Sequence, residues 1–342
     1  MPGLLKTLAR KIILPALKQS GTIGLLPYFQ SKNRLILNYH GVVNNLDQAL
    51  SINHMSAYDF EQQIIFFKKN FNILNQEDFI QNSKEKYLKK KSILITFDDG
   101  YFNNYSVAFP ILKKHNIPAT IFPVTGLIDS AEMTWYDAID LSEQTAKKNN
   151  LLDKIKSLAL ECGMSDQPKF TFHQLKKFLK TQSTERKSDF LFRYGRMLNL
   201  DEIKSSTNPE YWKILSSSQM KEMHDSDLIT FGSHTVNHPN LDTLESGEMS
   251  NELRDSKLRI ETILGEQIDS IAFPDGAYND QVKEKARELG YNTLFSVTPR
   301  CTSDKNDSSI FRRLSISNTT TFESVIFQTC FSFDTHGIGS KN

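Results

Sequence analysis

Short apolar runs alternate with amphipathic segments along most of this chain. Runs of β-branched and aromatic residues are typical of buried strands, and apolar positions three or four apart are typical of helices that pack on a core. Strands are predicted at residues 34–40, 92–97, 119–126, 228–234, 270–274, 293–297 and 313–316. Helices are predicted between them, one after the cap residue Ser56 and one from the cap residue Asn279 to Gly290.

Strands that alternate with helices predict an α/β fold built on a parallel sheet. Seven such units are enough to close into a barrel, and an open doubly wound sheet is the alternative. No Gly-x-Gly-x-x-Gly follows a predicted strand, which argues against a dinucleotide-binding fold. Helix formers and charged residues dominate from about 136 to 226, so we interpret that stretch as a helical insertion into the domain.

The composition is that of an ordinary globular protein of 342 residues, with 39% hydrophobic and 24% charged residues. A formal net charge of +1 gives no argument for binding nucleic acid. The three cysteines, Cys162, Cys301 and Cys330, are far apart and form neither a disulfide framework nor a metal-binding spacing. This cysteine usage fits a reducing compartment.

The N-terminal segment, residues 1–32, is basic, and no acidic residue precedes Asp47. Leu5, Leu8 and Ile12 fall near one face of a predicted helix. One interpretation is an amphipathic helix on an anionic membrane surface, and the other is a helix packed on the domain or a frayed terminus. Neither a signal peptide nor a transmembrane helix is recognised, so we expect the protein in the cytoplasm or at the cytoplasmic face of the membrane.

Two adjacent carboxylates follow the second predicted strand. The apolar run 93–95 leads into Asp98-Asp99-Gly100. Taken alone, this triplet is more typical of a solvated turn than of a site. If it is buried, each charge costs on the order of several kcal/mol unless a cation, a proton or hydrogen-bond donors compensate it.

Two histidines four residues apart, His234 and His238, follow the fourth predicted strand. Such a pair often arises by chance, so its position is more informative than its spacing. The carboxyl ends of barrel strands meet at one face, which places both histidines near Asp98 and Asp99. Two imidazoles and one carboxylate form a metal-binding group with open positions, and the other carboxylate is left to take a proton.

A turn sequence, Phe273-Pro274-Asp275-Gly276-Ala277-Tyr278, follows the next predicted strand. Turn amides can bind a developing oxyanion, although this sequence alone indicates only a turn. Thr96–Gly100, His234-x-x-x-His238-Pro239 and Phe273-Pro274-x-Gly276-x-Tyr278, in this order, resemble the motifs of the polysaccharide deacetylases, the chitooligosaccharide-deacetylase-like enzymes of carbohydrate esterase family 4.

This resemblance covers residues from about 33 to 330. It implies a distorted seven-stranded (β/α) barrel over residues 33–342, with a motif-bearing core at about 91–320. It also implies a metal-dependent hydrolase that removes N-acetyl groups from an amino sugar in a glycan or a lipid-linked saccharide. The partner is therefore an N-acetylated glycan, and no oligomeric state is predicted.

The resemblance also implies roles for individual residues. Asp98 matches the general base, and the backbone N–H of Asp275 matches the oxyanion donor. Asp99, His234 and His238 match the ligands of a divalent metal ion, most often zinc.

Two positions depart from the family pattern. Ala272 stands where the family has an arginine that orients the base, and no histidine follows Leu314 where the family has its general acid. Arg313 is a candidate to orient Asp98. His40, at the end of the first predicted strand, is a candidate for the general acid, and a structural histidine is an equal alternative there.

These departures leave a second hypothesis, a non-catalytic glycan-binding member of the same fold. A phosphoesterase is disfavoured, because the sequence offers no second set of ligands for a two-metal site.

Overall fold

The computed structural model describes residues 34–46, 53–83, 91–298, 300–320 and 322–325. The predicted basic segment 1–32 lies outside these ranges, so its membrane contact stays a prediction. Within the described ranges, no helix combines the length and the apolar character needed to span a membrane.

The strands are short and are distributed over the whole described chain. They are β1 (Arg34–Tyr39), β2 (Gly41–Val43), β3 (His54–Ser56), β4 (Asn72–Ile73), β5 (Ser92–Asp99), β6 (Ala119–Pro123), β7 (Ile229–Phe231), β8 (Ser270–Ala272), β9 (Thr293–Ser296), β10 (Ile310–Arg312) and β11 (Leu314–Ser315).

Helices separate most of these strands, and in the middle of the chain several helices follow one another. They are α1 (Ala57–Asn70), α2 (Gln76–Ser83), α3 (Phe109–His115), α4 (Trp135–Lys148), α5 (Leu152–Glu161), α6 (Phe172–Lys180), α7 (Thr184–Leu198), α8 (Leu200–Ser206), α9 (Ser217–His224), α10 (Ser246–Leu264) and α11 (Asp280–Glu288). A π-helical turn, Asn104–Ala108, leads into α3.

The named strands pair in parallel throughout. The largest sheet has the order β11-β1-β5-β6-β7, with β4 added beside the start of β5. A second sheet has the order β10-β9-β8, and β2 pairs with β3. The structure thus confirms a mixed α/β fold with parallel strands and many helices.

Two short connections join the larger sheets. Ser233, two residues beyond β7, forms a parallel bridge with Ile271 of β8. Arg313, between β10 and β11, donates its backbone N–H to the carbonyl of Ser296 at 2.8 Å. The segment 310–315 therefore lies against β9 through its first half and against β1 through its second half.

Several predicted strand boundaries were wrong. The strand predicted at 228–234 spans only Ile229–Phe231, and the strand predicted at 270–274 ends at Ala272. The strand predicted at 119–126 ends at Pro123, because residues Thr125–Leu127 form a 3-10 turn. The strand predicted at 313–316 starts earlier, at Ile310, and the charged residues that follow Phe311 hid its apolar start. Helix α11 begins after the predicted cap Asn279, whose side chain accepts a hydrogen bond from the N–H of Val282.

Strand β5 is the centre of the main core, since each of its eight residues is buried. Helices α1, α3, α9 and α10 cover this core with apolar side chains. The helices α4 to α8 have a largely separate core, which includes Ile139, Leu175, Leu179 and Phe190. Helix α9 differs from them, because its Met220 and Met223 pack into the main core.

The separate core of α4 to α8 is tested by Leu175→Ala. Leu175 is 0% exposed on α6, so the truncation leaves a cavity and should lower the free energy of unfolding by about 2–5 kcal/mol. Urea denaturation followed by circular dichroism measures the change. Leu258→Ala is the matched control, because Leu258 is 53% exposed on α10 and its loss should change stability by no more than about 0.5 kcal/mol.

Candidate active site

The two carboxylates at the end of β5 are buried, so the solvated-turn interpretation is wrong. Asp98 is 4% exposed and Asp99 3% exposed. The next residue, Gly100, has φ +73°, and a Cβ atom there would lie 2.5 Å from the side chain of Pro123 on β6. Only glycine fits at position 100, where the chain turns away from β5 immediately after the two acids.

Asp98 is held by a guanidinium. Nη1 and Nη2 of Arg313 donate to its two carboxylate oxygens at 2.6 and 2.7 Å, in a bidentate pair. Burial alone would raise the pKa of Asp98, but the Arg313 charge more than offsets it and holds that pKa well below its usual range. The guanidinium itself packs against the rings of Phe122 and Phe295. The structure thus places Arg313, the candidate orienting residue, directly against Asp98.

Asn38 on β1 completes this arrangement, and sequence analysis did not identify it. Its Nδ2 donates to Asp98 at 2.8 Å, while its Oδ1 accepts from Arg313 at 3.1 Å. Thr96 also donates to the same Oδ1 at 3.3 Å. Asn38 therefore fixes both members of the ion pair relative to β1.

Asp99 faces the two histidines instead. Nε2 of His234 and Nε2 of His238 each lie 3.7 Å from Oδ1 of Asp99, beyond hydrogen-bond distance. Two ligands at about 2.0–2.2 Å from one ion in tetrahedral geometry would be about 3.4 Å apart, so this spacing is that of ligands around an ion. Oδ1 of Asp99 is buried, with no hydrogen-bond partner in the described part of the chain.

The protonation states of His234, His238 and Asp99 also favour binding of a cation. Burial lowers the pKa of His234, and it lowers the pKa of His238 to about 3, so both imidazoles are neutral at pH 7. Burial and the neighbouring charge of Asp98 raise the pKa of Asp99 well above its ordinary value. A buried carboxylate with this shift needs a proton or a cation, and one ligand atom from each of the three residues lies within 4.8 Å of the others. The donor set therefore fits a divalent metal ion.

Neighbouring elements fix the orientation of the histidines. Nδ1 of His234 lies 2.7 Å from the carbonyl of Ala272 on β8, which directs Nε2 towards Asp99. The loop before His238 is held by Glu252 of α10, whose carboxylate accepts from the backbone N–H groups of Val236 and Asn237.

Several site residues have left-handed backbone. Asp99, His238 and Asp275 have φ values of 68°, 52° and 54°. Residues other than glycine adopt this conformation rarely, and each case costs on the order of 1 kcal/mol or more. The fold around the site holds these residues in conformations that their side chains disfavour.

Helix α4 contributes residues that sequence analysis did not assign to the site. Tyr136 lines the same cavity as Asp98, Asp99 and the two histidines. Its ring centroid lies 4.9 Å from that of His238. Burial and the charge of Asp99 raise the pKa of Tyr136, so its hydroxyl stays protonated. The next residue, Asp137, accepts from Tyr101 and Thr134, and burial raises its pKa to about 7.

The side chains of the predicted site surround one cavity of about 520 Å³. Its lining includes the four motif side chains Asp98, Asp99, His234 and His238, together with Asn38, His40 and Asp275. Burial lowers the pKa of His40 to about 4. The carboxylate of Asp275, in the turn Pro274–Gly276, accepts from Nζ of Lys180 on α6 at 2.6 Å. All predicted site residues except Arg313 line this cavity, and Arg313 lies behind Asp98.

The fold matches those of solved deacetylases. The structure of the Streptococcus pyogenes deacetylase PplD in complex with acetate superposes with a TM-score of 0.54 and 23% sequence identity, over 86% of this chain and 97% of that one. At this level of identity the likeness shows a common fold.

Two relatives extend the comparison at the sequence level. The YxkH protein of Bacillus subtilis is 22% identical over 242 residues, which is 71% of this chain and 57% of that protein. The poly-beta-1,6-N-acetyl-D-glucosamine N-deacetylase of Staphylococcus aureus is 32% identical over 127 residues, 34% of this chain and 44% of that protein. The chain thus spans about half the length of these curated relatives.

The family is settled by a match over more than half of the chain. The sequence profile named Polysaccharide deacetylase matches residues 85–157 and 165–294. The chain belongs to the polysaccharide deacetylase family, which confirms the resemblance seen in its three motifs.

The ion pair behind the cavity is tested by Arg313→Met. The variant leaves Asp98 as a buried charge without its partner, so the free energy of unfolding should fall by about 3–5 kcal/mol. The double variant Asp98→Asn with Arg313→Met removes that charge and should recover part of the loss. In Arg259→Met, which breaks an exposed pair with Asp129, the change should stay within about 1 kcal/mol. An equal effect in the two single variants would contradict a special role for Arg313.

The metal-binding group is tested by measuring ion content and affinity. The wild-type protein, dialysed against Zn²⁺ and then buffer, should retain about one ion per chain, and His234→Ala should lose it. His224→Ala is the control, because His224 lies outside the group and pairs with Glu266. Plasma mass spectrometry gives the ion content.

The affinity should also rise with pH. Because the pKa of Asp99 is raised, a proton competes with the ion, and ion binding releases that proton. Isothermal titration in buffers of different ionisation enthalpy measures the proton release. An affinity that falls as pH rises would contradict the assignment.

Proposed function

We propose that this protein is a metal-dependent hydrolase that removes N-acetyl groups from an amino sugar in a glycan or a lipid-linked saccharide, with zinc as the best-suited ion. The observation that carries the proposal is that two adjacent acids have different partners. Asp98 is held by Arg313, while Asp99 faces two neutral imidazoles. A base and a three-ligand metal group in one cavity are the parts that hydrolysis of an amide requires.

The fold that we propose is a distorted seven-stranded barrel over residues 33–342. The order of strand pairing supports it, since β1, β5, β6, β7, β8 and β9 follow one another and the segment 310–315 returns to β1. In such a barrel the carboxyl ends of all strands face one site.

Asp98 is the proposed general base. Its low pKa keeps it ionised at neutral pH, so it can accept the proton of an attacking water. The same low pKa makes it a weak base, and efficient catalysis then needs an acidified water. A divalent ion held by Asp99, His234 and His238 would supply that acidity and would polarise the acetyl carbonyl. Arg313 and Asn38 fix the direction in which Asp98 presents its oxygens.

The backbone N–H of Asp275 is the proposed donor to the oxyanion that forms when water adds to the amide carbonyl. The turn Pro274–Gly276 lines the same cavity as Asp98, and its left-handed residue is anchored by Lys180. A donor held in place before reaction stabilises the charge without reorganisation.

His40 is the proposed donor of a proton to the departing amine. It lines the cavity, and its buried Nδ1 has no hydrogen-bond partner among the described residues. Since its pKa is about 4, the imidazole is neutral at pH 7 and has to take up its proton during the reaction. The proton that Asp98 removes from water is the available source. The carbon–nitrogen bond then breaks to give the free amine and acetate.

The proposed activity is tested by Asp98→Asn in the Zn²⁺-loaded protein. The amide cannot accept the proton, so the rate of acetate release should fall by about 10²–10⁴-fold. The probes are a pentamer of β-1,4-linked N-acetylglucosamine and a β-1,6-linked oligomer, with acetate measured by a coupled assay. The ion content should stay at the wild-type level, in contrast to His234→Ala.

Two outcomes would contradict the proposal. Normal activity in Asp98→Asn would exclude the assigned base. Binding of both oligomers by the loaded wild-type protein, with no acetate released from either, would favour the glycan-binding alternative.

A further inference from the structure

Helix α6 presents a row of basic residues to the active-site cavity. His173, Lys176, Lys177 and Lys180 all line the cavity that contains Asp98 and the metal-binding group. Their spacing of three, four and seven residues places them on one face of the helix. This face belongs to the helices with the separate core, so it adds a wall to a site that the strand ends build.

Two of these lysines are neutralised and one is not. Nζ of Lys176 lies 2.5 Å from Asp140, and Nζ of Lys180 lies 2.6 Å from Asp275. Lys177 is exposed and has no ion-pair partner among the residues that the structure describes. The wall therefore keeps a positive charge that no described residue compensates by an ion pair.

A second cation lies beside the same site. Lys187 on α7 lines a side pocket of about 160 Å³, and His238 lines both this pocket and the main cavity. Lys187 is only 7% exposed, and within the described chain no carboxylate lies at ion-pair distance from its Nζ. The ammonium lies 5.1 Å from the ring centroid of Trp135.

The cost of burying this ammonium needs an explanation. An unpaired buried charge costs on the order of several kcal/mol, whereas a cation–π contact returns about 0.5–2 kcal/mol. Glu252, Asp275 and Glu248 support the charge only from beyond ion-pair distance, and burial lowers the pKa of Lys187. An anion that enters the side pocket would compensate the ammonium directly.

We propose that the substrate glycan carries an anionic group, a carboxylate or a phosphate, on or next to the N-acetylated sugar. The positive charges of Lys187 in the side pocket and Lys177 on the cavity wall attract this group. The inference rests on the proposed function, because it specifies the substrate of that site. A neutral glycan would supply hydroxyl groups but would leave both positive charges uncompensated.

Binding is measured with the Zn²⁺-loaded Asp98→Asn variant, in which the expected turnover is too slow to consume the ligand during a titration. One arm compares a tetrasaccharide of alternating N-acetylglucosamine and glucuronate with a neutral N-acetylglucosamine tetramer. The other arm compares N-acetylglucosamine 1-phosphate with N-acetylglucosamine. In at least one arm, titration calorimetry should show an affinity about tenfold or more higher for the anionic ligand, falling as salt is raised. The arm that shows the preference identifies carboxylate or phosphate.

Lys187→Gln and Lys177→Gln, each added to this variant, should remove most of the preference and leave the affinity for the neutral ligands within about twofold. Lys154→Gln is the matched control, since Lys154 is an exposed lysine of α5 away from both cavities, and it should keep the preference. Because Lys177 is exposed, its variant tests the proposal even if the buried substitution prevents folding.

Equal or weaker binding of both anionic ligands would overturn the inference, and so would an equal loss of neutral and anionic binding in the lysine variants. This readout is independent of the proposed activity. Acetate release by the wild-type protein from any of these sugars tests that activity separately, so the two failures are distinguishable.

Discussion

Two like charges buried side by side are the constraint on which this site depends. Asp98 and Asp99 follow each other at the end of a fully buried strand, so bulk water solvates neither charge fully. Arg313 compensates the first charge from the far end of the described chain. The second charge faces two neutral imidazoles. This asymmetry underlies the fixed base and the cation site that we propose.

Elements distant in sequence meet to satisfy that constraint. Asn38 and Arg313 reach Asp98 across 60 and 215 residues of sequence, and His234 is aligned by the backbone of Ala272. Parallel pairing brings the ends of these strands together. Helices α4 to α8 then add Tyr136 and the lysines over the strand ends. Strands thus carry the proposed chemistry, and helices with their own core carry the groups that we assign to substrate choice.

Sequence analysis identified the site residues that directly follow an apolar run, because such a run predicts where a strand ends. Asp98, Asp99, His234 and His238 each follow an apolar run, so their proximity was predictable and the structure shows it. Asn38 was not predictable, because a polar residue inside a strand does not reveal which neighbour it will meet. The start of β10 was hidden by adjacent charges. The roles of Tyr136, Lys177 and Lys187 depend on how helices pack over the sheet, which local pattern does not encode.

The left-handed backbone at Asp99, His238 and Asp275 has a consequence for how such a site persists. Glycine would adopt these conformations without strain, and at position 99 it would also remove a buried charge. Mutational drift under selection for thermal stability alone would therefore tend to erase this site while leaving the fold intact. The surrounding packing therefore offsets the backbone strain at the residues to which we assign metal binding and oxyanion binding.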